Sequence, residues 1–241
     1  MIAAVRERAG RAGVLLDFDG SLSLIVARPE LAEPVAGARE VLNDLVRTYA
    51  VVAVVTGRRA EEVAELLSVP GVRYEGLYGL ESSSSELVFA LVPQVEHAAA
   101  AVPEAWVEDK GPSVAVHYRQ APDPDRVRVS LLAALEPLAA EAGMMVVEGK
   151  MVLEIVPRDR PLKGGVVERI AGEAGLEAVL YAGDDVADLE AFAALDRLRT
   201  HGLATMKVAV RGEETPPALV EVADRVVEGP DGLVSLLREL A

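Results

Sequence analysis

Along the chain, short runs that are apolar almost throughout alternate with longer stretches in which apolar residues recur every three or four positions. VLLDF (residues 14–18), AVVAVVTG (50–57), VRYEGLYG (72–79), AVLYAGDD (178–185) and MKVAVRG (206–212) are of the first kind and predict strands. PVAGAREVLNDLVRTY (34–49), AEEVAELLSV (60–69), LKGGVVERIAGEAG (162–175) and VADLEAFAAL (186–195) are of the second kind and predict helices. Strands alternating with helices of this length imply a parallel sheet covered on both faces. In such a sheet, active groups belong at the carboxyl ends of the strands. Asp17, Thr56 and the Asp184–Asp185 pair each come directly after an apolar strand, so three strands deliver polar groups to one edge.

The middle of the chain has a different period. WVEDKGPSVAVHYRQ (106–120) and MMVVEGKMVLEIVP (144–157) alternate in the manner of hairpin strands, with a helix predicted over 123–143 between them and another over 93–105. Locally paired strands around helices describe a small α+β unit inserted into an α/β core. The expected organisation is a discontinuous core of residues 1–84 and 157–241 with an insert of 85–156. SSSS (82–85) reads as a solvated linker into the insert. The tail, 221–241, predicts a last strand and a packing helix.

Composition narrows the function without naming it. Hydrophobic residues make up 51% of 241, enough for a substantial core. No apolar run is long enough to span a bilayer, and the first residues, MIAAVRERAGRAG, have no apolar stretch of the kind a signal peptide needs. The absence of cysteine excludes disulfides and thiolate chemistry and suits a reducing cytoplasm. A net charge of −15 argues against nucleic acid or an anionic membrane as partner. It does not exclude a phosphorylated small molecule, because a metal and a few cations can override the global field. Nothing in the sequence decides the oligomeric state, and a monomer is compatible with it.

The chemistry begins at LLDFDGSLS (15–23). Carboxylates on alternate strand residues point to opposite faces. If the strand stops at Asp17 and the chain curls, Asp17 and Asp19 can instead converge beyond the sheet edge. That is costly unless positive charge sits between them, as a metal ion or a phosphoryl-transfer site would supply.

DFDGS (17–21), VVTGR (54–58), Lys163 in PLKGG and GDDVAD (183–188) together resemble the four motifs of the haloacid dehalogenase phosphohydrolase superfamily in order, strand context and spacing. Singly they are weak. Asp17 and Asp19 would suit a turn, Lys163 a solvated helix start, and Asp184–Asp185 a helix N-cap, a role compatible with metal binding. The resemblance implies a Rossmann-like parallel-sheet hydrolase core with an inserted α+β cap. It makes Asp17 the nucleophile that forms an aspartyl phosphate and Asp19 the acid and base for the leaving oxygen and water. Thr56 would hydrogen-bond the phosphoryl group and Lys163 would neutralise it together with Asp17. Mg²⁺ would be held by Asp17, Asp184, Asp185 and the Phe18 or Asp19 carbonyl, with Asp188 supporting that shell, an all-oxygen set suited to the ion.

The insert falls in the 107 residues between Thr56 and Lys163, not in the 39 between Asp17 and Thr56. That placement is the arrangement of the sugar-phosphatase branch. Within it, residues 17–34, VVTGR, GLYGLE (76–81), VEDKGPSVAVHYR (107–119), MVLEIVPRDRPLKGG (151–165) and GDDVADLEAF (183–192) are similar to trehalose-6-phosphate phosphatases. This narrower resemblance implies that Glu108, Lys110 and Glu154 bind sugar hydroxyls and that His117 and Arg119 support the cap side of the pocket. Ser21, Gly57 and Arg58 join them as substrate-binding residues. Glu108 and Lys110 could equally form a solvated strand face. Two departures bear on the sugar: Ala187-Asp188-Leu189 stands where the family usually has Thr-Asp-Glu, and Tyr78-Gly79 where it has His-Gly. The implied substrate is a small-molecule sugar phosphate, foremost trehalose 6-phosphate. The alternatives are a glucosylglycerol or mannosylglycerate type of phosphate, or a catalytically silent sugar-phosphate-binding protein.

Overall fold

In a strand buried on both faces, consecutive side chains enter opposite cores, and the computed structural model of the chain shows this at every central strand. It describes residues 1–82, 86–158 and 162–241. Among these the strands are β1 (Ala12–Leu16), β2 (Val51–Val55), β3 (Arg73–Glu75), β4 (Trp106–Asp109), β5 (Val114–His117), β6 (Met144–Gly149), β7 (Val152–Pro157), β8 (Ala178–Gly183), β9 (Ala204–Arg211) and β10 (Arg225–Glu228). The chain divides into one unit of Met1–Gly79 with Pro161–Ala241 and a second of Leu80–Arg160. The serine linker expected at 82–85 falls largely on residues 83–85, outside the described residues.

The first unit holds a six-stranded sheet in the order β10-β9-β8-β1-β2-β3, every pair parallel. On one face Val14, Leu16, Val52, Val54, Leu180 and Val208 meet Leu42, Leu45, Val63, Leu67, Leu233 and Leu237 of three helices. On the other, Leu15, Ala53, Val55, Val179 and Tyr181 meet Val166, Val167, Ile170, Ala191, Phe192 and Leu195. The strand order reverses between β1 and β8: β2 and β3 extend from one side of β1, and β8, β9 and β10 from the other. Open α/β sheets bind ligands outside the strand ends at such a reversal. Asp17 and Asp184 are the residues that follow β1 and β8.

The second unit holds an antiparallel sheet, β4-β5-β7-β6. Val114, Val116, Leu153 and Ile155 pack against helices Glu86–Ala99 and Pro124–Glu141. The helix expected over 93–105 thus starts and ends earlier, with Pro93 inside it. Val88, Leu91, Val95 and Ala99 all bury in this core. Burial of the larger three, at about 1.5–3 kcal/mol each, offsets the ~3 kcal/mol a mid-helix proline costs. The strand expected over 72–79 also stops short, at Glu75. Beyond it the backbone turns left-handed at Leu77, Tyr78 and Gly79 (φ 49°, 54° and 88°). No helix among the described residues is long and apolar enough to cross a membrane.

Candidate active site

Register brings the motifs level. Leu16 pairs with Val54 of β2 and Ala182 of β8, and the Asp17 N–H donates to the Ala182 carbonyl at 2.8 Å. The chain then curls: the N–H groups of Ser21, Leu22 and Ser23 all donate to the Phe18 carbonyl, at 3.2, 2.8 and 3.0 Å. Gly20 makes the curl possible. Its φ is +83°, and a Cβ there would overlap the Asp184 carboxylate. Gly183 has a parallel function on β8, since a Cβ there would overlap the Asp188 carboxyl.

The carboxylates of Asp17, Asp184 and Asp188, all buried, offer oxygens within 4.8 Å of one another. Lys163, the first residue of helix Lys163–Glu173 and 2% exposed, places Nζ 3.0 Å from Asp17 Oδ1 and 2.6 Å from Asp188 Oδ1. Burial pushes the Asp17 carboxyl well above its ordinary pKa; Lys163 opposes this, while Asp188 and Asp184 add to it. Burial works against the Lys163 ammonium, but Asp17 and Asp188 outweigh it and hold the lysine well above its usual range. Asp17 and Asp188 both contact the one Lys163 ammonium, and Asp184 adds a third buried carboxylate beside them. A divalent ion with oxygen ligands fits that donor set.

Asp188 is occupied on both oxygens. Oδ1 accepts from Lys163 and from the Tyr181 hydroxyl (2.8 Å), and Oδ2 accepts the N–H groups of Asp184 and Asp185 (2.8 Å each). It therefore ties the lysine to the turn that presents Asp184. Tyr181, wholly buried on β8, is kept neutral by burial and by Asp188, and so remains a donor. Asp185 accepts the Val186 N–H at 2.6 Å. Ser21 Oγ lies 3.5 Å from Asp184 Oδ1.

Thr56 follows β2, buried, and its Oγ1 accepts the Arg58 N–H at 3.1 Å. Arg58 grips Asp19 with both ends of its fork, Nε to Oδ2 and Nη2 to Oδ1, each at 2.7 Å. Gly57 faces Tyr78, whose hydroxyl would stand 2.7 Å from a Cβ at 57. The Tyr78 ring lies 5.5 Å from Lys163 Nζ, a cation–π distance.

In the second unit, Glu108 and Glu154 both pair with Ala115, so they stand in one row across three strands. Lys110 Nζ lies 3.5 Å from Glu154 and 3.9 Å from Glu108. His117 Nε2 meets Glu108 Oε2 at 2.8 Å and stacks on Trp106 with ring centroids 4.0 Å apart. Ser113 Oγ donates to Glu154 at 2.5 Å. Arg119 Nη2 donates to the Lys150 carbonyl, in the turn between β6 and β7 (3.1 Å).

Sequence reasoning passed over Tyr181, Trp106 and Ser113. The signal for Tyr181 was available: a tyrosine in a wholly buried strand needs a partner for its hydroxyl, and two aspartates follow within four residues.

The trehalose-phosphatase family model matches residues 15–219, most of the chain. The chain belongs to the trehalose-phosphatase family. Trehalose-phosphate phosphatase of Mycobacterium ulcerans (strain Agy99) is 33% identical over 253 residues, covering 95% of this chain and 63% of that protein. The Mycobacterium marinum (strain ATCC BAA-535 / M) protein of the same name gives the same figures. The chain thus spans a little under two thirds of these curated relatives. Among solved structures, the C-terminal domain of C. albicans trehalose-6-phosphate phosphatase superposes with a TM-score of 0.83 at 20% identity, covering 99% of this chain and 95% of that one. A haloacid dehalogenase-like hydrolase from Bacteroides thetaiotaomicron superposes with a TM-score of 0.62 at 16% identity, covering 95% and 99%. The shared fold is the Rossmann-like core with an inserted α+β cap that the sequence predicts. Leu189 packs against the second core cluster, and Ala187 precedes the helix Asp188–Thr200 without a side-chain cap.

Proposed function

We propose that the chain hydrolyses a sugar phosphate, with trehalose 6-phosphate the substrate, through an aspartyl-phosphate enzyme that uses Mg²⁺. The observation that carries this reading is the buried Asp17–Lys163–Asp188 chain beside Asp184, at the strand-order reversal of the sheet. Membership of the trehalose-phosphatase family and the names of the curated relatives support the choice of sugar.

In the first step an Asp17 oxygen bonds to phosphorus as the bond from phosphorus to the sugar oxygen breaks, and that oxygen takes a proton from Asp19. In the second, water gives a proton to Asp19 and attacks phosphorus, and the bond to Asp17 breaks. Phosphate leaves, with the Asp17 carboxylate and protonated Asp19 restored. The Lys163 ammonium, kept charged by two carboxylates, balances charge gathering at Asp17 and the phosphoryl oxygens. Thr56 offers its hydroxyl to those oxygens. Asp17, Asp184 and Asp185 would hold Mg²⁺, with the Asp19 carbonyl as the main-chain ligand because the Phe18 carbonyl already accepts three N–H groups. Bound there, the ion neutralises the phosphoryl charge that one lysine leaves uncompensated. Asp188 orients Lys163 and the Asp184 turn.

Residues 1–84 and 157–241 act as the phosphatase core and 85–156 as the sugar-recognising cap. Glu108, Lys110 and Glu154 offer the paired donors and acceptors a polyol requires. The protein acts on a small molecule and works in the cytoplasm. The test is phosphate release from a panel of sugar phosphates, with Mg²⁺ or with chelator, and with Asp17→Asn. Fast release from trehalose 6-phosphate, lost with chelator and in the variant, is expected. Preference for another sugar phosphate would overturn the substrate, and release unaffected by Asp17→Asn would overturn the mechanism.

A further inference from the structure

We propose that Arg58 is a positioning residue for Asp19: a fixed fork that sets where the proton-transferring carboxylate stands, not a group that binds substrate. The inference rests on the acid–base reading of Asp19 given above. Arg58 is anchored through its own backbone, its N–H bonded to Thr56 Oγ1 at 3.1 Å and its carbonyl to the Leu77 N–H at 2.9 Å. The guanidinium is then used on three sides. Nε and Nη2 take the two oxygens of Asp19, Nη1 donates to the Pro29 carbonyl at 2.8 Å, and the plane lies over the Phe18 ring with Cζ 5.5 Å from its centroid. The Arg58 side chain is 11% exposed and that of Asp19 is 38% exposed.

A ligand phosphate or sugar hydroxyl would have to compete with these contacts for the guanidinium. What the arrangement already supplies is aim. A bidentate arginine–carboxylate pair fixes both distance and plane, which a lysine cannot do. Asp19 sits on the exposed side of the curl after β1, where an unheld carboxylate would sample several rotamers. Misplacing a reacting group by about 1 Å costs on the order of 10²-fold. Removing Arg58 should therefore slow the steps in which Asp19 carries a proton and leave binding nearly unchanged.

The experiment compares Arg58→Met, Arg58→Lys, Asp19→Asn and the double variant Arg58→Met/Asp19→Asn. Substrates are trehalose 6-phosphate, whose sugar oxygen needs a proton to leave, and 4-nitrophenyl phosphate, whose phenolate leaves without one. For Arg58→Met, kcat on trehalose 6-phosphate should fall about 10- to 100-fold with KM within about threefold. The pre-steady-state burst of nitrophenolate should change by no more than about threefold. In the Asp19→Asn background the arginine substitution should add less than about twofold, since residues that act through one another are not additive. Arg58→Lys keeps charge and most packing, should stay closer to Arg58→Met than to wild type, and serves if the methionine variant folds poorly. A raised KM at unchanged kcat, equal losses on both substrates, or an additive loss in the Asp19→Asn background would each overturn the inference alone. An Asp19→Asn enzyme with wild-type turnover would overturn the acid–base reading, and the inference with it.

Discussion

Asp188→Asn keeps the size of a side chain that has no exposure and accepts four hydrogen bonds. An amide has one acceptor oxygen and one NH₂. If the NH₂ replaces Oδ1, it faces the Lys163 ammonium and the Tyr181 hydroxyl; if it replaces Oδ2, it faces the Asp184 and Asp185 N–H groups. Either way two buried donors lose their acceptor, at about 1–3 kcal/mol each. The charge removed beside Lys163 is part of the same loss and not a further sum, since a buried pair broken from one side costs about 3–5 kcal/mol in all and Lys163 keeps Asp17. The expected loss is about 3–5 kcal/mol, a large part of the ~5–15 kcal/mol that holds a typical protein folded. The assay is urea unfolding in EDTA followed by far-UV ellipticity, with the midpoint expected to fall and the slope to stay constant. A change below about 1 kcal/mol, coupled with a tenfold or greater loss of Mg²⁺ affinity, would refute the reasoning. It would show that Asp188 works chiefly as a metal ligand and not as the acceptor that organises Lys163 and the Asp184 turn.

Tyr181→Phe removes one donor to the same carboxylate and leaves no cavity, so it should cost less than Asp188→Asn, about 1.5–3 kcal/mol by the same unfolding assay. Gly57→Ala puts a Cβ 2.7 Å from the Tyr78 hydroxyl; a loss of about 1–3 kcal/mol is expected, and Tyr78→Phe in the same chain should recover part of it, whereas simple additivity would show that the two do not meet. The stabilisation of the protein by Mg²⁺, read as the shift in melting temperature, should grow as pH rises above the ordinary carboxylate range. Burial raises the folded-state pKa of Asp17, so without metal the folded state is penalised progressively as pH climbs from the unfolded carboxyl value through the folded one. The ion, which takes the ionised form, competes with that proton. Lys163 adds nothing to this slope, since a raised pKa keeps its contribution complete below the ordinary lysine range and loses it only as pH climbs from there through the raised value. A flat or falling shift would sink the argument.

Long elements with a clear period were legible. The apolar runs at β1, β2, β8 and β9 and the amphipathic stretch 34–49 predict their elements to within a few residues, because burial on one or both faces writes itself into the residue types. The ends were less legible. Whether the chain beyond Glu75 continues as strand or turns left-handed at Leu77 and Tyr78 is decided by the Tyr78 and Leu77 N–H groups, which donate to the Thr56 and Arg58 carbonyls on another strand's end. Pro93 marks the start of a helix locally, yet sits inside one because Val88, Leu91, Val95 and Ala99 share a core face.

By itself the sequence determined the parallel core, the interrupting α+β segment and the set of polar residues at the strand ends, since hydrophobic period and strand-end placement are properties of neighbours along the chain. Who holds whom was decided only in three dimensions. Arg58 and Asp19 are 39 residues apart and Lys163 and Asp17 are 146 apart, and no local pattern says that the first pair forms a fork or that the second shares Asp188. That partition follows from strand register, which sets Asp17 level with Gly183, one residue before Asp184, and from the room left by Gly20 and Gly183. Register is a long-range property: it is fixed where whole faces bury against each other, and only then do the carboxylates find their cation.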